Sequence, residues 1–199
     1  PWVKKFPLLA DAGFMLAFLA AITATNLALT SFPNVKLFDV MVFVAGYTLG
    51  FRRGSIIAAV AWVVYVNTNP WGLVGVVQLG TLMISETVYA GAGAMIRKAV
   101  SPARVRFLPS KTSLIFGLVA VVCTITYDLL TNLYTVYHWA QLAGSADYSK
   151  WMLATFFNPG AIFFSAAHLS SNVLFFTAFA PLLIRWTQKL KKTDTLSDS

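Results

Sequence analysis

Residues 112–140 read TSLIFGLVAVVCTITYDLLTNLYTVYHWA, with one acid, Asp128, and no lysine or arginine. The hydrocarbon core of a bilayer is about 30 Å thick, and about 20 mostly apolar helical residues cross it. This run meets that length, so it is a membrane-spanning helix. Working outward, comparable segments occur at 8–30, 37–50, 54–67, 73–97 and 159–187, which makes six helices in one bundle. The whole chain agrees: 58% of residues are hydrophobic, 11% are charged, and the mean hydropathy is +0.71. Soluble domains carry about 25% charged residues. A chain this poor in charge cannot cover a water-facing surface.

The segments 37–50 and 54–67 are too short to cross upright, and Gly46, Gly50 and Gly54 flank their junction at Phe51-Arg52-Arg53. They read as a tight hairpin of short helices. Asn158-Pro159 reads as an N-cap followed by proline at the first helical position. Pro181 falls inside the last helix, where a kink is expected. Residues 1–192 form the single membrane domain and 193–199 a polar, disordered tail. The segment 8–30 is longer than the apolar region of a secretory signal and carries Asp11, so it reads as the first membrane helix.

A net charge of +8 raises the question of nucleic acid. The basic residues, however, sit at the ends of apolar runs and not along one amphipathic face, so no polyanionic partner is implied. Of fifteen Lys and Arg residues, only Lys36 and Lys150 fall on one side of a six-crossing arrangement. The rest lie at the termini and in the loops after the second and fourth helices. Positively charged loops stay in the cytoplasm, so both termini are expected there, in a multi-pass protein of the cell membrane. Cys123 is the sole cysteine, which excludes an internal disulfide and a Cys-based zinc cluster.

Ionisable groups inside hydrocarbon are the next signal, since each costs at least about 2.5–3.5 kcal/mol to insert. Glu86 falls near the middle of the fourth helix, Asp128 in the outer half of the fifth and His168 near the middle of the sixth. Each has polar neighbours at helical spacing: Gln78 with Glu86; Thr124, Asp128, Asn132 and Thr135, with His138 further out; Ser165, His168 and Asn172. These stripes either hold the helices together by hydrogen bonds or converge on one polar cavity open to the outside. Asn69 and Trp71 in one outer loop, and Tyr148 and Trp151 in another, belong either to the interfacial aromatic belt or to a cap over that cavity. On the first helix Gly13, Ala17, Ala20, Ala21 and Ala24 form a small-residue face, for packing within the bundle or for docking a partner membrane protein. No GxSxG, HExxH or Walker A motif occurs, and with only two histidines a metal centre is not indicated. No cofactor is implied.

Phe32-Pro33-Asn34-Val35-Lys36, then Val42-Phe43-Val44-Ala45-Gly46-Tyr47-Thr48-Leu49-Gly50 and Arg53-Gly54, resemble the proline-containing first loop and glycine-rich hairpin of the substrate-binding S components of energy-coupling factor (ECF) vitamin transporters. Tyr127-Asp128-Leu129-Leu130-Thr131-Asn132-Leu133 and His168-Leu169-Ser170-Ser171-Asn172-Val173 are similar to that family's fifth and sixth helices. The resemblance implies a non-enzymatic subunit with six membrane helices and cytoplasmic termini. It implies docking, through the alanine face of the first helix, onto a transmembrane coupling protein driven by two cytoplasmic ATPases. It also implies that a vitamin-like substrate sits between helices four to six and the outer loops, which adds Asn34 and Lys36 to the candidate site. No signature for a particular vitamin is present. Two other readings use the same features: a structural membrane protein of the rod-shape determinant type, without a ligand cavity, and a small membrane enzyme acting on a lipid or isoprenoid, with Glu86, Asp128 and His168 as acid–base groups.

Overall fold

The computed structural model describes residues 7–70 and 72–196. Trp71 and the last three residues of the expected tail lie outside the described residues. Those described form seven α-helices and no strand: α1 Pro7–Ala28, α2 Phe38–Leu49, α3 Phe51–Thr68, α4 Val76–Ala99, α5 Lys111–Leu142, α6 Tyr148–Phe157 and α7 Pro159–Leu196, with a 3-10 turn at Pro102–Arg104. Stretches of α1, α4, α5 and α7 are long and apolar enough to cross a membrane. On α5, Leu114, Leu118, Val122, Ile125, Leu129 and Leu133 recur at helical spacing and are all exposed. An apolar stripe left uncovered on a spanning helix is a lipid-facing surface.

The exception to outward-facing apolar residues is α2. Every residue of it except Thr48 is buried, and its neighbours are α1, α3, α4 and α7. A helix apolar on all sides belongs in the interior. At 12 residues it rises only about 18 Å, well short of the hydrocarbon thickness. Its seat depends on missing side chains. A Cβ on Gly46 would land on the Ala90 backbone of α4, and one on Gly93 of α4 would land on the Phe43 carbonyl of α2. Phe43 then packs edge-to-face against Phe116 of α5 and at a tilt against Phe176 of α7, at centroid distances of 5.5 and 5.0 Å.

The hairpin is tighter than its sequence implies. Gly50 alone joins α2 to α3, at φ 89°, a conformation only glycine takes without strain. Arg52 and Arg53 therefore lie inside the first turn of α3, not in a loop, and α3 runs for 18 residues instead of being a short helix. α6 is an addition: ten residues with no long apolar run, capped by Asp147, whose Oδ1 accepts from the Lys150 amide at 3.0 Å. The Ser149 hydroxyl and that same amide hold the Asp147 carboxyl below its usual range. The Asn158 cap is present: its Oδ1 accepts from the Ala161 amide at 2.8 Å, its Nδ2 donates to the Ala154 carbonyl, and α7 begins at Pro159. α7 continues through Pro181 to Leu196, into the stretch expected to be a disordered tail.

Arginine contacts gather at one end of the bundle. Arg53 pairs with Asp11 at 2.7 Å, Arg97 lies over the Tyr47 ring and Arg185 over the Phe107 ring. The loop between α1 and α2, the end of α3 and the start of α7 form the opposite end.

The α2–α4 contact predicts a contrast between two glycine substitutions. Gly93→Ala should destabilise the protein by about 3 kcal/mol, because backbone cannot move aside as a side chain can. Gly80→Ala, whose added methyl meets nothing, should leave thermal unfolding in detergent unchanged or slightly higher, through helix propensity alone. Equal melting temperatures for the two variants would refute the close-approach account.

Candidate functional site

α2 carries one acid into the interior. Asp39 sits in its first turn, where the helix dipole favours a negative charge, and is 3% exposed. Its Oδ2 meets His168 Nε2 of α7 at 2.7 Å and accepts from Asn172 Nδ2, one turn further along α7, at 2.6 Å. The other imidazole nitrogen, Nδ1, lies 2.7 Å from Asp128 Oδ1 of α5. A doubly protonated ring donates from both nitrogens and so satisfies both carboxylates, whereas a neutral ring can donate to only one. Asn172 Nδ2 also donates to Thr124 Oγ1 at 2.8 Å, and Tyr89 donates its hydroxyl to that same Thr124 oxygen at 3.1 Å. One carboxylate thus ties α2, α7, α5 and, through Tyr89, α4.

Glu86 lies beside this network, fully buried. Trp62 Nε1 of α3 donates to its Oε2 at 3.2 Å, while Oε1 has no partner.

Above the network, toward the end without arginines, opens a polar cavity of about 220 Å³. Asn34 and Lys36 line it from the first loop, Trp62 from α3, Leu82 from α4, Tyr127, Asp128, Thr131 and Asn132 from α5, and Phe164 and Ser165 from α7. Asp128, one-fifth exposed, holds His168 on one side and lines the cavity on the other. Lys36 rests its ammonium 5.1 Å from the Trp62 ring centre and 5.3 Å from that of Tyr65. Burial lowers its pKa, against the opposing pull of Asp39, Glu86 and Asp128. Asn34 adopts φ 56°, rare for a residue with a side chain, and its Nδ2 donates to the Phe164 carbonyl of α7 at 3.1 Å. That bond straps the loop across the mouth.

Of the residues singled out from sequence, Asn34, Lys36, Asp128 and Asn132 come together at the cavity, with His168, Asn172 and Glu86 behind it. Three stand apart. Asn69 caps α3, its Nδ2 donating to the carbonyls of Tyr65 and Val66. His138 is exposed and stacks on Tyr134 at 5.7 Å. Gln78 is half-buried in the first turn of α4 and lines neither this cavity nor its neighbour described below. Sequence reasoning missed Asp39, although an acid inside residues 37–50 is as anomalous as Glu86. It also missed Trp62 and Asn26, which carry no charge to draw notice. No group of three or more His, Cys, Asp or Glu among the described residues is arranged to hold a metal ion.

The small residues of α1 face outward: Gly13, Ala17, Ala20 and Ala24 are exposed and Ala21 is half-buried. Ala17 and Ala21 border an apolar groove of about 170 Å³ with Met41, Leu183 and Trp186.

No protein-family model, no curated protein and no solved structure matches this chain.

His168→Ala should strand two carboxylates facing each other and cost about 3–5 kcal/mol of stability. Asp39→Asn in the same chain should recover part of that loss, because the remaining carboxylate no longer faces a like charge. Thermal unfolding in detergent of the single and double variants checks this, and a double variant no more stable than His168→Ala would argue against the charged clamp.

Proposed function

We propose that this chain is the substrate-binding membrane subunit, or S component, of an ECF-type importer. It captures a vitamin-like micronutrient at the outer face and hands it inward with a coupling protein and two ATPases, and it does no catalysis of its own. In this reading the chain crosses the cell membrane six times, with both termini in the cytoplasm and the arginine-rich end inside. The polar cavity then opens outward under the Asn34 strap.

The observation that carries the proposal is that cavity: about 220 Å³ of space lined by Lys36, Asp128 and Asn132 within a bundle whose outer surface is apolar. Polar residues are held at membrane depth when they face one another, a cavity or a substrate. The motif resemblance supplies the family, and the outward-facing alanines of α1 suit a docking partner. The groove beside Ala17 and Ala21 has room for larger side chains, so the fold should tolerate leucine there.

Three measurements test this. Mass spectrometry of small molecules released from detergent-purified protein should find a stoichiometric water-soluble metabolite. An empty protein that also binds nothing in a vitamin panel would favour a structural role, and a bound lipid would favour an enzyme acting on lipid. Asp128→Asn should weaken binding of the released metabolite at least about tenfold, or about 1.4 kcal/mol. Leucine at both Ala17 and Ala21 should abolish uptake in cells while leaving that binding intact, and loss of both together would assign the stripe to ordinary packing.

A further inference from the structure

A second cavity, of about 350 Å³, lies against the first beneath the loop joining α1 to α2. Its size falls within the range of pockets that hold small organic ligands, from about 300 Å³ upward. Asn34, Lys36 and Phe164 border both cavities. The remaining wall is largely flat or apolar, from Leu29, Phe32, Pro33 and Tyr65.

One feature of this wall is costly. Asn26, in the last turn of α1, is 2% exposed, and neither its Nδ2 nor its Oδ1 has a hydrogen-bond partner. An unsatisfied buried amide costs about 1–3 kcal/mol per group. Nearby polar side chains avoid that cost by bonding to their own helix, as Thr25 does to the Ala21 carbonyl at 2.8 Å. Asn26 does not. Lys36 is the other unspent group: its ammonium rests on two aromatic rings and pairs with no carboxylate among the described residues.

The two groups ask for different things. A carboxamide offers a donor beside an acceptor, and its complement is an edge with the same pair reversed, a ring N–H next to a ring C=O. A carboxylate would leave the Asn26 Oδ1 facing an acceptor. An ammonium, which only donates, needs an oxygen or an anionic group. Aromatic walls suit a flat ring.

We infer that the cavity under the first loop binds a planar heterocycle through a lactam or imide edge paired with Asn26, with a further acceptor of the same molecule reaching Lys36. This rests on the binding-subunit reading and narrows its substrate class.

The probes are lumazine and uracil, which present an imide edge, and their 1,3-dimethyl derivatives, in which both ring N–H groups are capped. They are titrated calorimetrically into the purified protein. At least one parent ring should bind, and its dimethyl derivative should bind at least about tenfold more weakly, as expected when a buried acceptor is left unpaired. Asn26→Leu removes both amide groups at similar volume. It should lower affinity for the parent ring about tenfold or more, erase the preference over the dimethyl form, and leave the melting temperature of the free protein equal or higher.

Unchanged affinity in Asn26→Leu, equal binding of parent and dimethyl forms, or no binding of either ring would each overturn the inference. Should Asn26→Leu not fold, the N-methyl comparison on the unaltered protein decides alone. A stoichiometric released metabolite without an N–H/C=O edge overturns the inference but leaves the binding-subunit reading standing. A protein that binds no small molecule at all overturns both.

Discussion

The carboxylate of Asp39 is the group around which the half of the bundle away from the arginines is organised. It is buried because α2 is buried, and α2 is buried because Gly46 and Gly93 let it lie directly on the backbone of α4. Once there, a charge far from water requires partners, and a buried charge left unpaired costs several kcal/mol. His168 and Asn172 supply them from successive turns of α7, which fixes the register of that helix against α2. His168 then has a second nitrogen to satisfy, and Asp128 meets it from α5. A backbone contact between two helices thereby determines which side chains of two others line the cavity above.

This chain of dependence explains which parts of the structure were legible in the sequence. The long apolar runs of α4, α5 and α7 announce themselves, because a spanning helix must be apolar over its whole length whatever it packs against. The Asn158-Pro159 helix start was equally plain, since a cap is a local event. Gly50 was harder, because several glycines shared the junction and only the backbone shows that one of them makes the turn. α6 had no long-range signature at all, with ten residues and an acid at its N-cap. The candidate site divided along the same line. Asp128 and His168 stood out as ionisable groups in apolar runs, but the second carboxylate on His168 lay on a helix too short to be read for function, so Asp39 went unnoticed.

The polar stripes of α5 and α7 meet directly, Asp128 against His168 and Thr124 against Asn172, with Asp39 of α2 completing the network. The acid of the α4 stripe does not join them, because Glu86 turns toward Trp62 of α3. The outcome is two layers with different chemistry. The inner layer is closed, with both His168 nitrogens and the Asn172 amide nitrogen committed to carboxylate and hydroxyl partners. The outer layer is open, with Lys36, Asn132 and one face of Asp128 bordering space. Fixed charges beneath and unspent donors above is an arrangement that holds geometry while leaving hydrogen bonds available, which is what recognition of a polar molecule requires.

Departures from local rules also concentrate at that end. Asn34 holds a left-handed backbone, uncommon outside glycine though asparagine tolerates it, and Asn26, Glu86 and Asn172 each keep at least one buried polar atom without a partner. Ser55, near the start of α3, is an exception at the arginine-rich end. Each such atom lowers the stability of the empty protein, and filling the positions with apolar groups would raise it. Sequences that fold reliably satisfy such groups, and the exceptions are expected where activity needs them. If the half away from the arginines served only to hold helices together, apolar packing would do so at lower cost. A bundle that keeps the Asn26 amide and the Lys36 ammonium without hydrogen-bond partners among the described residues beside two adjoining cavities, and a Glu86 oxygen unpaired behind them, is less stable than one packed there with apolar groups.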